Sequence, residues 1–133
     1  MKIVIDCNII VSAAITDGTC RKAILQALIN HQIFISEEIL LEIKQVIERP
    51  KFQKYYTILL ELTELISNCA ELVKIDKIKN FGLIDADDEI YLKAATVAKC
   101  DYLITGNIKD FGQQKFGKTK IVTAQEFLTK NLH

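Results

Sequence analysis

No stretch of this 133-residue chain approaches the roughly 20 consecutive apolar residues that a membrane span requires. Nor does the start read as a secretory leader, since a single Lys2 is followed by a strand-like run and then by an acid. The expectation is a cytoplasmic protein with no membrane association. Basic excess is lacking too: 17 Lys and Arg balance 17 Asp and Glu. That excludes a high-affinity, non-specific nucleic-acid coat protein, which needs a basic field. The cysteines, Cys7, Cys20, Cys69 and Cys100, are widely spaced and form no zinc pattern. Without a leader they read as reduced, half-buried thiols. Histidine is scarcer still, and neither His31 nor His133 sits near a candidate nucleophile. This argues against histidine-based acid–base catalysis. Repeats, linkers and low-complexity tracts are missing as well, so residues 1–133 form one domain.

What is present is an alternation of short β-branched runs with helical patterns. Ile3-Val4-Ile5 has no room for a helical stripe and reads as a buried strand. It stops at Asp6, with Asn8 close behind, before a helical segment from Ile9 to Ala14. Thr16 to Thr19 is a turn cluster, with Thr19 placed to cap a helix from Cys20 to about Asn30. Gln32 to Ile35 reads as a second strand and Ser36 as the cap of a third helix, ended by Pro50. On that helix Ile39, Leu40, Ile43, Val46 and Ile47 form one apolar arc. Glu42 lies on its flank, either turned toward the interior or snorkelling out of it. Lys51 to Ala70 reads as a longer helix after a break at Phe52, with Tyr55, Leu59, Leu62 and Ile66 as its stripe, and Glu71 to Ile75 as an edge strand.

Asp85-Ala86-Asp87-Asp88-Glu89 opens the next helix, which runs to about Lys99. Asp85 and Asp88 have capping-box spacing. Glu89, Lys93 and Thr96 form a polar face with a favourable i, i+4 pair, whereas Asp88 aligns with Leu92 and Ala95 on a buried, small-residue side. Periodicity leaves Asp87 open as the inward acid instead. Asp101 to Thr105 is a third clear strand, followed by Gly106-Asn107, a helical turn to Phe111, and a loop rich in Gly and Lys. Ile121-Val122 is a last short strand, and Thr123 with Glu126 makes a capping box for a terminal helix. The alternation predicts an α/β fold with a mostly parallel sheet of four or five strands.

In open parallel sheets, ligands bind outside the carboxyl ends of the strands. Asp6 ends the first strand, Asp88 opens the helix feeding a later one, Asp110 follows Thr105-Gly106-Asn107, and Glu42 lies about a turn into its helix. Any one of them has a bland reading, and Asp6 alone serves equally as a helix cap. Converging carboxylates, however, repel one another and resist burial. A cation between them resolves both costs, and oxygen ligands without Cys or His select Mg²⁺ or Mn²⁺. Such ions activate water and offset charge on a phosphoryl group, so phosphodiester hydrolysis fits this set best. Lys109, Lys115, Lys118 and Lys120 fall in one window whose only acid is Asp110. They make either a phosphate-holding patch or a solvated loop.

Four segments carry a family resemblance. Val-Ile-Asp-Cys-Asn-Ile-Ile-Val-Ser-Ala-Ala, Ser-Glu-Glu-Ile-Leu-Leu-Glu-Ile, Asp-Ala-Asp-Asp and Tyr-Leu-Ile-Thr-Gly-Asn-Ile-Lys-Asp-Phe stand in order and at the right length. Together they resemble the PIN-domain ribonucleases, and most nearly the VapC-like branch of toxins in toxin–antitoxin pairs. The resemblance implies a three-layer α/β/α fold and a Mg²⁺- or Mn²⁺-dependent endoribonuclease leaving 5′-phosphate and 3′-hydroxyl ends. It assigns Asp6, Glu42 and Asp88 as metal-site acids, with Asn8 and Thr105 as supporting polar residues. Many members carry Asp where this chain has Asn107, a weaker ligand that lowers the site's charge and leaves Asp110 to substitute. Cys7 replaces the usual Thr with no evident consequence. Lys109, Lys115 and the lysines after them are the expected RNA contacts, making binding salt-dependent. A cognate antitoxin and a homodimer are the implied partners, with Leu41 and Tyr56 as candidate interface. Two rivals remain: an inactive PIN-fold module binding RNA or protein, and a phosphatase-like enzyme with Asp6 as nucleophile. The latter generally wants a second Asp where Asn8 stands.

Overall fold

The structure, a computed structural model, describes residues 1–16 and 18–131. Asp17 of the expected turn and His133 lie outside the described residues. Strands β1 (Lys2–Ile5), β2 (Gln32–Ser36), β3 (Glu71–Val73), β4 (Tyr102–Ile104) and β6 (Thr119–Val122) pair in parallel, and β5 (Lys115–Phe116) turns back antiparallel on β6. The spatial order is β3-β2-β1-β4-β6-β5. The five expected strands are therefore present, and a two-residue sixth occupies what reads from sequence as loop. Two residues carry no detectable period; only pairing with β6 makes Lys115–Phe116 a strand.

From β1 the chain winds outward through β2 to β3, then crosses to β4 on the other side of β1. Right-handed crossovers in opposite directions put helices on opposite faces. Accordingly α5 (Glu89–Ala98) packs across β1, β2, β3 and β4, while α2 (Thr19–Asn30) packs on β2 and against α6 (Ala124–Asn131). The remaining helices, α1 (Cys7–Ile15), α3 (Glu37–Ile47) and α4 (Tyr56–Cys69), complete a three-layer α/β/α domain. No helix of the described residues is long and apolar enough to cross a membrane. The central strands β1, β2 and β4 are buried as near-continuous apolar runs, as a sheet covered on both faces requires; Ile3, Val4, Leu103 and Ile104 are inaccessible to solvent.

Local signals decide most boundaries. Ser36 Oγ accepts from the Ile39 N–H at 3.1 Å and starts α3, and Thr123 and Glu126 exchange the two bonds of a capping box at α6. Other expectations need correction. Thr19 is the first residue of α2, not its cap; Gly18 takes the cap position and no side chain caps there. A 3₁₀ segment, Pro50–Tyr55, precedes α4. The buried stripe of α4 is Leu59, Thr63 and Ile66, with Thr63 in place of Leu62 because its hydroxyl is satisfied by the Leu59 carbonyl at 2.7 Å.

Glu89 is the clearest reversal. Expected on an exposed face, it is only 5% accessible, and its two oxygens accept from the Phe81 and Leu83 N–H groups at 2.7 and 2.8 Å. Burial alone pushes this carboxyl up, but the Phe81, Leu83 and Gly82 amides outweigh it and hold the group below its ordinary range. Glu89→Ala should therefore cost about 2–3 kcal/mol, the scale of hydrogen bonds to a charged group. Thermal unfolding measures the loss, and amide exchange at Phe81 and Leu83 should accelerate. An unchanged Tm would show that the 81–83 segment needs no anchor.

Candidate active site

The strand order reverses between β1 and β4, whose register pairs Ile5 with Ile104. The next residue on each strand, Asp6 and Thr105, therefore stands at the carboxyl edge of the switch point, where a crevice opens in doubly wound sheets. A cleft of about 460 Å³ opens there. Asp6, Cys7 and Asn8 line it from β1 and α1; Glu38, Leu41, Glu42, Gln45, Val46 and Arg49 from α3 and its end; Asp85, Asp87, Asp88 and Ile90 from the start of α5. Asn107 and Asp110 line it from the turn after β4.

Asp6 is both a cap and a cleft residue. Its Oδ1 accepts from the Asn8 N–H at 3.3 Å, and its Oδ2 from the Thr105 hydroxyl at 2.8 Å. Thr105 Oγ1 in turn accepts from the Asn107 N–H at 3.1 Å. The chain Asn107, Thr105, Asp6 fixes the acid's rotamer from the end of the neighbouring strand. Burial raises the Asp6 carboxyl above its ordinary value, the Thr105 and Asn8 bonds pull it partly back, and Glu42 pushes it up again.

Asp88, not Asp87, is the inward acid. It is buried, Asp87 is exposed, and Leu92 and Ala95 share its buried side. Asp85 caps the turn through the Asp87 N–H at 2.9 Å. Because Asp88 returns no capping-box bond, its side chain is free for the cleft. Its Oδ2 is buried without a hydrogen-bond partner. Burial raises the Asp88 carboxyl to about 7, with further push from the charges of Asp6, Asp85, Asp110 and Glu42. The acids that distant sequence positions suggested do act on one another through space.

Glu42 points inward rather than snorkelling. Its Oε1 accepts from the Tyr91 hydroxyl at 2.6 Å and from the Cys7 thiol at 3.2 Å, and Tyr91 Oη accepts from the Cys7 N–H at 3.3 Å. Cys7 therefore has the consequence its sequence did not reveal. Burial pushes both the Cys7 thiol and the Tyr91 phenol well above their ordinary values, so both remain protonated donors to Glu42. Tyr91 was missed because an aromatic on an apolar helix face reads as core. Its only signal was a hydroxyl that burial obliges to find a partner.

Donor chemistry here suits a hard divalent cation: carboxylate oxygens from Asp6, Glu42, Asp88 and Asp110, neighbouring amides, and an orphaned buried oxygen on Asp88. Among the described residues no three acidic, imidazole or thiol groups are gathered closely enough to hold an ion by themselves. An ion here would complete its shell with water, as Mg²⁺ commonly does. Of the expected phosphate contacts, Lys109 sits in the turn between Asn107 and Asp110 but is not a lining residue. Lys115 pairs with Lys120 on the edge hairpin, three strand spacings from β1, roughly 14 Å, and Lys118 is engaged with Asp101 at 3.4 Å. The one cation lining the cleft among the described residues is Arg49.

Known proteins share this chain's sequence pattern and fold. The sequence profile of a family described as PIN domain matches residues 2–109. Among solved structures, the fold is similar to a chain in the crystal structure of VapBC2 from Rickettsia felis bound to a DNA fragment from their promoter. The TM-score is 0.64 at 17% identity, covering 91% of this chain and 97% of that one. No curated protein matches the chain by sequence.

Proposed function

Because the chain belongs to the PIN domain family, we propose that it is a Mg²⁺- or Mn²⁺-dependent endoribonuclease acting at the Asp6–Asp88 cleft. The observation that carries this reading is the buried, partnerless Asp88 Oδ2 beside an acid that is itself held up by burial. A fold gains nothing from such a pair unless something positive shares it.

Asp6 and Asp88 would hold the ion, with Glu42 as a third ligand or as the group orienting water, and Asp110 completing the site where Asn107 is a weaker donor. When bound, such an ion offsets charge on the phosphate and eases attack by water. The protein's own part is orientation. Thr105 fixes Asp6; Tyr91 and Cys7 hold Glu42 Oε1, which leaves Oε2 to accept a hydrogen bond from water attacking in line. The products would be 5′-phosphate and 3′-hydroxyl ends. The fold likeness to VapBC2 supports reading the chain as the toxin of a toxin–antitoxin pair, with a cognate antitoxin and a homodimer as partners in the cytoplasm.

The test is cleavage of a single-stranded RNA by purified protein in Mn²⁺ or in EDTA, beside Asp6→Asn. Cleavage only in Mn²⁺, and lost in the variant, is expected. Equal cleavage by both proteins would reject the reading. No cleavage, with no Mn²⁺ bound by calorimetry, would leave an inactive binding module.

A further inference from the structure

The cleft poses an electrostatic problem for its own proposed substrate. Among the described residues, seven carboxylates line it, against the single guanidinium of Arg49. An RNA strand carries a phosphate at every residue and must enter and leave past those acids. Arg49 lies two residues past the end of α3, the helix that carries Glu42, and is exposed. No carboxylate among the described residues forms an ion pair with it, although seven share its cleft. An arginine unpaired in such company is available to an anion from outside.

The chain around Arg49 has the composition of a strand-binding surface. From Arg49 to Leu60 there are three cations, Arg49, Lys51 and Lys54, and no acid. Aromatics are interleaved, with Lys51 Nζ 5.0 Å from the centre of the Phe52 ring and Lys54 Nζ 5.8 Å from that of Tyr55. The residues on either side of Arg49, Glu48 and Pro50, line a second hollow together with Gln53 and Tyr56. Tyr56, 37% accessible, is the ring exposed there. Cations that track a backbone beside an aromatic that stacks a base are the elements of single-strand recognition.

Resting on the nuclease reading above, we propose that Arg49 holds an RNA phosphate at the mouth of the acidic cleft. The strand continues over the Pro50–Tyr56 segment, where Tyr56 stacks a base. Arg49 is thus a substrate-positioning residue, and the basic window from Lys109 to Lys120 is not the main strand path.

The experiment measures binding of a fluorescein-labelled single-stranded RNA 12-mer in Mg²⁺ by anisotropy, in the Asp6→Asn background, across a KCl series. Arg49→Ala should weaken binding about five- to tenfold and lower the log–log salt slope by about 0.7, one phosphate contact on a single strand. Arg49→Lys should keep the slope. Tyr56→Ala should weaken binding at least about fivefold with the slope unchanged, since stacking releases no counterion. Lys115→Ala, which removes one charge from the edge hairpin, should leave affinity within about twofold. Mn²⁺ affinity of Arg49→Ala made in the otherwise wild-type protein should match that of the wild type by calorimetry, separating substrate positioning from an effect on the acids. Wild-type affinity and slope in Arg49→Ala would overturn the proposal and leave the nuclease reading intact. If the parent binds no RNA and the wild type cleaves none, both fall together.

Discussion

Asp88→Asn should lower RNA cleavage roughly a thousandfold, the scale expected when a group supporting transition-state charge is removed, and should at the same time make the protein more stable. The second effect distinguishes a functional acid from a structural one. Asp88 is buried, its Oδ2 has no partner, and its carboxyl is raised to about 7 by burial and by four neighbouring acids. A group whose folded pKa lies above its unfolded value favours the fold when protonated. Its support is complete below the unfolded value, about 4, and is lost as pH rises from there through about 7. Asparagine never ionises, so the variant's advantage should be small at pH 4, grow up to pH 7 and level off above pH 8. A shift of this size corresponds to at most about 4 kcal/mol. Water entering the open cleft screens part of it, so about 2 kcal/mol is expected at pH 8, roughly 6 °C in Tm. Thermal scans of metal-free protein at pH 4 and 8, beside the cleavage assay, decide the matter. A lower Tm at both pH values would mean that Asp88 supports the fold and that lost activity follows from damage.

Leu103→Ala should produce the opposite pattern, a large loss of stability with chemistry retained. Leu103 is inaccessible to solvent and sits on β4 between Val4 of β1 and Ile121 of β6. Truncation removes most of a side chain where flanking strands cannot collapse without breaking their ladders. Such substitutions cost 2–5 kcal/mol, and for this central site we expect about 4 kcal/mol, roughly 12 °C in Tm. Denaturant unfolding gives the free energy. At a temperature where the variant is folded, cleavage per folded molecule should stay within about threefold of wild type. Leu103→Met, which conserves volume, should cost less than about 1.5 kcal/mol. A thousandfold loss of cleavage in folded Leu103→Ala would show that packing beneath the switch point sets the position of Asp6 far more tightly than the hydrogen bond from Thr105 does.

How much was legible in the chain itself follows from the range of each interaction. Strand and helix order was written locally. Ile3-Val4-Ile5, the arc on α3 and the Thr123–Glu126 box depend on residues a few positions apart, so side-chain period and cap chemistry sufficed. The acids Asp6, Glu42, Asp88 and Asp110 were also legible, as ionisable groups at strand ends and on helix flanks, and all line one cleft. Glu89 was misread because the amides that bury it belong to a loop, Phe81 to Leu83, that no helical period can register. Lys115, an expected RNA contact, lies away from the cleft because strand order, not sequence distance, sets how far β5 lies from β1.

The sequence by itself determined an α/β fold, its succession of elements and the carboxylates it would have to accommodate. Only the tertiary structure decided what those carboxylates face. The Ile5–Ile104 register brings the Thr105 hydroxyl to Asp6 across 99 residues, and the packing of α5 carries Tyr91 to Glu42 across 49. The physical reason is one of range: periodicity and capping act within a turn or two of the chain, whereas burial, charge repulsion and a hydroxyl's need for an acceptor depend on which segments the fold brings together.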